Sequence, residues 1–486
     1  MEKNYRKLKL NKAFLILTFI LLGISIGLVI DNYLEEYNYI LPAIDTYFFC
    51  SQTNNIVEKG FFLKYSPDYV DQENIYAPGF SLFLSIVSII INLNTRILIY
   101  FLPFLSIPLT FLSLFMFIKS FKIKKRILMP VYFISILTIF SSILAFRDLI
   151  IGIPQTFYLS IIFLSLAITN KLKDSQKYMP PLIIILAGLF LAHYVSFILV
   201  ILYIALYFIL NYKTLKNKKF FFWIFLLILL IIIPLIKSGI VGLFNINYAA
   251  EFNLNPFEFS QENVNKFIGF PIIIVGFILT TMGLFNKRHI VLNIFLIALL
   301  STLFLYKMPL IHIFSPYVKR AMIFIILFIS ISIPINLLEN FNKFNKYTRI
   351  ILILIIISLI FFNIYSYRDK IWVKYFESDD VASIKNLMTE NKIVAFFPYN
   401  LLIQCYLDSP TKNIIRLNPV DINKSNILNY YSTGFNQGTF FYYNKNSLNI
   451  LKKSGLKVDD KIINKLVDSW EEVYYSRGNV TIYRKK

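Results

Sequence analysis

The sequence predicts a mainly α, polytopic membrane protein of about eleven transmembrane helices, with juxtamembrane helices in its first outer loop and a small C-terminal soluble α/β or α+β domain. Three observations predict it. Apolar types make up 57% of the 486 residues and charged types only 16%, against roughly 25% charged in soluble domains. Uncharged apolar stretches such as residues 220–236 recur near the ~20-residue length that crosses a hydrocarbon core. From Ser366 onward the composition turns soluble, with mixed charge, Pro, Asn and Gly. The same composition excludes other classes. Cys50 and Cys405 are the only cysteines, too few for a disulfide-dense secreted scaffold. His193, His289 and His312 lie too far apart for the usual zinc-ligand spacing. The formal charge of +22 belongs to loops and a Lys-rich usage, and no nucleic-acid partner is expected.

The basic start, MEKNYRKLKLNK, precedes an apolar run without a small-residue cleavage site, which predicts a retained first helix over 13–30. Further spans are predicted near 97–118, 127–146, 149–169, 182–195, 196–210, 220–236, 269–285, 290–306, 321–338 and 350–365. With the N-terminus inside, the inner loops hold twenty-two Lys/Arg and the outer loops, leaving the C-terminal region aside, nine, the bias of the positive-inside rule. The apolar run 79–93 is short for a span, and counting it as one would invert that bias. It reads as a helix lying in the outer interface. The run 181–210 would be about 45 Å as a single helix, well beyond a ~30 Å core. Its polar centre, His193-Tyr194 and Ser196, breaks it into a short hairpin. Past the last span, 392–397 alternates like a strand and 459–475 reads as a helix. Two domains follow: a transmembrane domain over 1–365, with 31–96 as its first outer loop, and an outer-face soluble domain over 366–486. This places the chain in the plasma membrane as a multi-pass protein, its N-terminus cytoplasmic and its C-terminal domain extracellular.

The chain has no Walker loop, dinucleotide turn or Ser/His/Asp order. Its informative stretch is the acidic first outer loop. Ile44-Asp45-Thr46 opens a helix that Gly60 should stop, and Tyr76-Ala77-Pro78-Gly79 then leads into the interfacial helix. Later helix ends carry Arg147-Asp148, Ala192-His193 and Lys319-Arg320. This order resembles the GT-C glycosyltransferases, the membrane superfamily of oligosaccharyltransferase catalytic subunits, protein O-mannosyltransferases and lipid A aminoarabinose transferases. The likeness covers the layout of 13–365, with 45–80 its specific part.

The resemblance implies a membrane glycosyltransferase. Its sugar donor would be polyprenyl- or dolichyl-phosphate-linked, its acceptor a glycan, lipid or protein, and its setting the outer face of the bilayer. It implies Asp45 and Asp148 as catalytic carboxylates, with Arg147, His193, Lys319, Arg320 and Tyr76 binding substrate. The chemistry agrees: a carboxylate takes the proton of the attacking acceptor, and fixed cations neutralise the departing phosphate. Each residue also has an ordinary reading. Asp45 fits a helix cap, Arg147-Asp148 an interfacial ion pair, His193 a polar break, and Lys319 and Arg320 snorkelling anchors. Oligosaccharyltransferases use an acid-x-acid pattern in the second outer loop to hold a divalent metal. Here Phe146-Arg147-Asp148-Leu149 lacks the second acid, which favours a metal-independent transferase with no required cofactor. Two rival classes are a transporter of lipid-linked glycans, whose ionisable groups belong near mid-membrane, and a non-catalytic envelope scaffold.

Overall fold

The computed structural model describes residues 15–27, 44–60, 79–141, 154–215, 270–285, 289–305 and 315–340, together with short pieces between 358 and 485 that include five strands. Its helices are α1 (Leu15–Gly27), α2 (Ile44–Lys59), α3 (Gly79–Ile91), α4 (Thr95–Ser120), α5 (Lys125–Ser141), α6 (Pro154–Lys171), α7 (Met179–Ala192), α8 (Tyr194–Leu215), α9 (Phe270–Phe285), α10 (Ile290–Leu305) and α11 (Ser315–Asn340). Helix therefore occupies the expected spans, apart from 220–236, which lies outside the described residues, and 350–365, of which residue 358 alone is described. Among the described helices one, α4, is both long and apolar enough to cross a membrane by itself.

The chain forms two compact units. One comprises Met1–Ile30 and Leu102–Trp372, the other Asp31–Phe101 and Val373–Lys486. The first outer loop of the sequence reading thus lies in the same unit as the C-terminal region, and α4 runs from one unit into the other.

The first unit is built around α11. Residues 324–337 of this helix are buried on every side, including Ile325, Ile329, Ser330 and Ile335 at 0% exposure. A helix apolar all round belongs in such a place. Phe117 of α4, Phe163 of α6, Tyr203 of α8, Phe295 of α10 and Phe328 of α11 meet in one aromatic cluster, with Phe295 and Phe328 centroids 4.8 Å apart.

In the second unit the strands β1 (Ile393–Phe396), β2 (Ile414–Leu417), β3 (Phe440–Asn444), β4 (Trp470–Tyr475) and β5 (Val480–Lys485) form a mixed sheet in the order β2-β1-β3-β5-β4. β1 pairs in parallel with β2 and β3, and β5 pairs antiparallel with β3 and β4. The strand expected at 392–397 is present. Of the helix expected over 459–475, the last six residues are strand β4 instead, and 459–469 lie outside the described residues. The reason is local. A register shift between Glu472 and Tyr474 turns Val473 outward, 42% exposed, and breaks the two-residue alternation that marks a strand. Trp470 nevertheless packs edge-on against Phe441, centroids 6.3 Å apart.

Candidate functional site

Helix α2 carries Asp45 in its first turn, where unpaired backbone N–H groups and the helix dipole favour a carboxylate. The Asp45 side chain itself is outside the described residues. Beyond it the helix is polar yet buried: Thr46, Ser51, Gln52, Thr53, Asn54 and Asn55 are all at most 9% exposed. Buried polar groups need partners. Thr53 donates to Phe49 O at 2.7 Å and Asn55 to Ser51 O at 2.8 Å. Ser81 of α3 donates to Gln52 Oε1 at 3.1 Å, while Gln52 Nε2 is buried without a hydrogen-bond partner. Gly60 ends the helix as its sequence position predicts. It adopts φ 72°, a region open to glycine, and returns its N–H to Ile56 O at 2.8 Å.

Two further contacts hold α2. Phe49 meets Phe80 of α3 edge-to-face with centroids 5.2 Å apart. Cys50 is disulfide-bonded to Cys405, joining segments 355 residues apart in the sequence. Sequence reasoning missed this bond, although both cysteines fall in segments it assigned to the outer face.

Helix α3 has an inverted pattern. Its buried side holds Phe80, Ser81, Leu84, Ser85 and Ser88. Its exposed side holds Leu82, Phe83, Ile86, Ile89 and Ile90, the last 77% exposed. An uncovered apolar stripe of this kind suits a lipid interface rather than water.

His193 sits between α7 and α8 and ends one as it starts the other. Its backbone is extended, with φ −159° and ψ 97°, and its N–H bonds Leu189 O at 2.8 Å. Its ring Nδ1 accepts the backbone N–H of Ser196 at 3.2 Å and lies 2.7 Å from Ser196 Oγ. The Ser196 N–H directed at Nδ1 favours the tautomer that carries its proton on Nε2. In this arrangement His193 caps the start of α8 through its ring. The ring tilts against Tyr158, centroids 5.9 Å apart.

Lys319 and Arg320 lie in the second turn of α11; their side chains are outside the described residues. Arg147, Asp148 and Tyr76 fall wholly outside them. Among the described residues no group of three or more His, Cys, Asp or Glu side chains is placed to hold a metal.

Sequence reasoning also missed a polar network inside the helical unit. Thr280 of α9 and Ser332 of α11 are 3.0 Å apart. Ser332 donates to Asn293 Oδ1 of α10 at 3.1 Å, and Asn336 Nδ2 donates to the same oxygen at 2.9 Å. Gly283 makes room for it: a Cβ there would overlap the Asn336 and Asn293 amides. One turn further along α11, Glu339 lies 3.2 Å from His289 Nε2. The available signal was small and polar residues recurring at helical spacing in otherwise apolar segments, Ser332/Asn336 and Thr280/Gly283.

No family model matches the sequence, and no curated protein is similar to it in sequence. Solved structures are similar in fold. The oligosaccharyltransferase of Archaeoglobus fulgidus, tethered to an acceptor peptide, aligns with a TM-score of 0.57 at 12% identity, over 96% of this chain and 74% of that one. The same enzyme in complex with Zn and sulfate gives 0.56 at 11% identity, over 96% and 73%. ArnT from Cupriavidus metallidurans, bound to undecaprenyl phosphate, gives 0.54 at 8% identity, over 95% of this chain and 97% of that one. The chain shares the fold of these two enzymes.

Proposed function

We propose that this chain is a GT-C-type glycosyltransferase of the plasma membrane. It moves a sugar from a polyprenyl- or dolichyl-phosphate carrier to a glycan, lipid or protein acceptor on the outer face. The observation that carries this reading is a fold likeness running nearly end to end over both this chain and ArnT, whose structure holds undecaprenyl phosphate. The other similar enzyme was solved with an acceptor peptide. The Cys50–Cys405 bond supports the outer location, since disulfides persist in oxidising compartments. The eleven-span topology, with a cytoplasmic N-terminus and an extracellular C-terminal region, is part of the same proposal.

In the proposed reaction the acceptor attacks the anomeric carbon and gives its proton to Asp45. The carbon–oxygen bond to phosphate breaks, and the electron pair leaves with the phosphate. Arg320 is the preferred phosphate contact, because a guanidinium takes two oxygens at once and stays charged. Lys319 and Arg147 add positive charge, His193 and Tyr76 bind substrate, and Asp148 serves as the second catalytic carboxylate. Fixed cations then do the work that a metal does where a second acid is present.

Arg320→Ala should lower kcat more than it raises the donor KM, with Arg320→Lys recovering part, because the leaving-group charge is largest in the transition state. Normal turnover at saturating donor would return Arg320 to a membrane anchor. The decisive experiment is mass analysis of glycans and carrier lipids in cells lacking the protein, with transfer by purified protein assayed alongside. The expected result is loss of one sugar mass from a defined glycan, accumulation of a polyprenyl-phosphate sugar, and transfer in vitro. Unchanged glycans with no transfer from any carrier-linked sugar would reject the reading.

A further inference from the structure

We propose that two basic loops of the helical unit, 119–126 and 171–178, form a docking surface for anionic phospholipids, with a headgroup phosphate held between Lys171 and Lys177 at the Tyr178 ring. This goes beyond the transferase reading and does not depend on it. The first loop spans the junction of α4 and α5, the second that of α6 and α7, all within one compact unit. Both lie at the ends of apolar helices, the level at which a bilayer's headgroups sit.

The charge is concentrated and fixed in place. Residues 119–126 hold five Lys/Arg and residues 171–178 hold three, against one acid, Asp174. That acid is already engaged. Its carboxylate pairs with Lys122 Nζ at 2.5 Å and ties together two loops 52 positions apart in the sequence. Asn170 Nδ2 donates to Ser120 Oγ at 2.9 Å and locks the helix ends beneath them. Glu339, an acid at the same end, faces His289, whose ring meets Phe121 edge-on with centroids 5.4 Å apart. Lys119, Lys124, Lys125, Arg126, Lys173 and Lys177 are exposed, with no second carboxylate in either loop to balance them.

Tyr178 marks the point of docking. Lys171 Nζ lies 5.6 Å from its ring centroid and Lys177 Nζ 5.5 Å. One ammonium over a ring is a cation–π contact. Two on one ring repel each other, and screening over so short a gap is incomplete. A phosphate whose oxygens bridge the two ammoniums turns that repulsion into two charge-assisted hydrogen bonds. The loop is preformed for this. Asp174 N and Ser175 N both donate to Lys171 O, at 2.9 and 3.2 Å, and Ser175 Oγ accepts the Lys177 N–H at 3.3 Å. A tyrosine at headgroup depth, beside lysines with long apolar stems, fits a lipid better than a free anion. The proposed topology puts both loops on the cytoplasmic side, where the leaflet's negative surface potential draws juxtamembrane lysines.

The test titrates the full chain, in a neutral detergent, with phosphatidylglycerol or phosphatidylcholine and counts retained lipids by native mass spectrometry. Wild type should hold phosphatidylglycerol the more tightly, and inorganic phosphate should not displace it. Lys171→Gln/Lys177→Gln should weaken the tightest phosphatidylglycerol about 30-fold, the usual contribution of two lysines at an anionic surface. Lys124→Gln/Lys125→Gln removes the same charge away from Tyr178 and should weaken it no more than about threefold. Equal losses from the two double variants would overturn the site and leave only diffuse loop charge. Equal retention of the two lipids, or displacement by inorganic phosphate alone, would overturn it as well. If Lys171→Gln/Lys177→Gln does not fold, the wild type is compared in bilayers of each lipid. Amide exchange over 171–178 should then be slower in phosphatidylglycerol, while exchange over 324–337 matches in both. Unchanged exchange over 171–178 would reject the docking surface. Sugar transfer enters none of these readouts, so a failure here leaves the transferase reading standing, and the reverse holds too.

Discussion

At the scale of single residues, the structure divides the candidates by what surrounds them. Asp45 stands in the first turn of a helix that is fixed by a disulfide, an aromatic edge and a Gly stop. That environment serves a cap and a base equally, and substitution separates them. Asparagine at this first-turn position forfeits only the charge–dipole attraction, about 0.3–1 kcal/mol, and accepts no proton from an acceptor. Asp45→Asn should therefore leave insertion and thermal unfolding unchanged while lowering transfer about 100- to 10,000-fold. Wild-type turnover would leave Asp45 a cap. His193 changed more in meaning. Its place at a break was legible from the polar triplet in a long apolar run, but its Nδ1 contact with the Ser196 N–H was not, because capping geometry exists only once the helices are placed. His193→Ala should cost about 1 kcal/mol of stability through the lost cap. His193→Asn should restore that stability. If Asn restores turnover as well, the imidazole is structural; if turnover stays low, the Nε2–H acts on substrate.

At the scale of elements, what the sequence displayed was governed by period and punctuation. The stop of α2 was readable because Gly60 needs a positive φ that other residues avoid. The apolar length of α3 was readable too. Its reversed faces, with serines inside and isoleucines outside, appear only when one knows what it packs against. β4 was misread because its register shift near Val473 spoils alternation. The network of Thr280, Asn293, Ser332 and Asn336 was harder to read: small and polar residues recur at helical spacing within α9 and α11, but their pairing across three helices shows only once the helices are placed. That network makes a specific demand on Gly283, against which Asn293 and Asn336 are packed. Gly283→Ala should insert normally but push those amides apart. The cost should be about 1–3 kcal/mol, the usual range for overpacking, read as a lowered unfolding temperature in detergent. An unchanged melt would mean that the amides shift without losing their hydrogen bonds.

At the scale of the whole molecule, the disulfide constrains the proposed topology. Two sulfurs that bond must lie on the same side, so the number of crossings between Cys50 and Cys405 is even. Ten of the eleven expected spans lie between them, which satisfies the condition. Counting α3 as a span gives an odd number, and so does merging α7 and α8 across His193. Counting α3 as a span also inverts the positive-inside bias, an argument from loop charge that owes nothing to the cysteines. Native Cys50 and Cys405 cannot report this topology by labelling, because both are paired and buried. New thiols at exposed sites can, in a background with both native cysteines replaced by alanine. Glu472 on β4 is exposed, and Asp174 after α6 is 44% exposed in an ion pair with Lys122. Surface pairs of that kind contribute about 0–1 kcal/mol, so Asp174→Cys should fold. An impermeant maleimide added to intact cells should label Glu472→Cys. It should reach Asp174→Cys only after the membrane is opened. Labelling of both from outside would mean that an odd number of crossings separates neither site from the other, and the proposed topology would fail between 174 and 472, where the unsplit run 181–210 and the segments 220–236 and 350–365 would be the first places to recount.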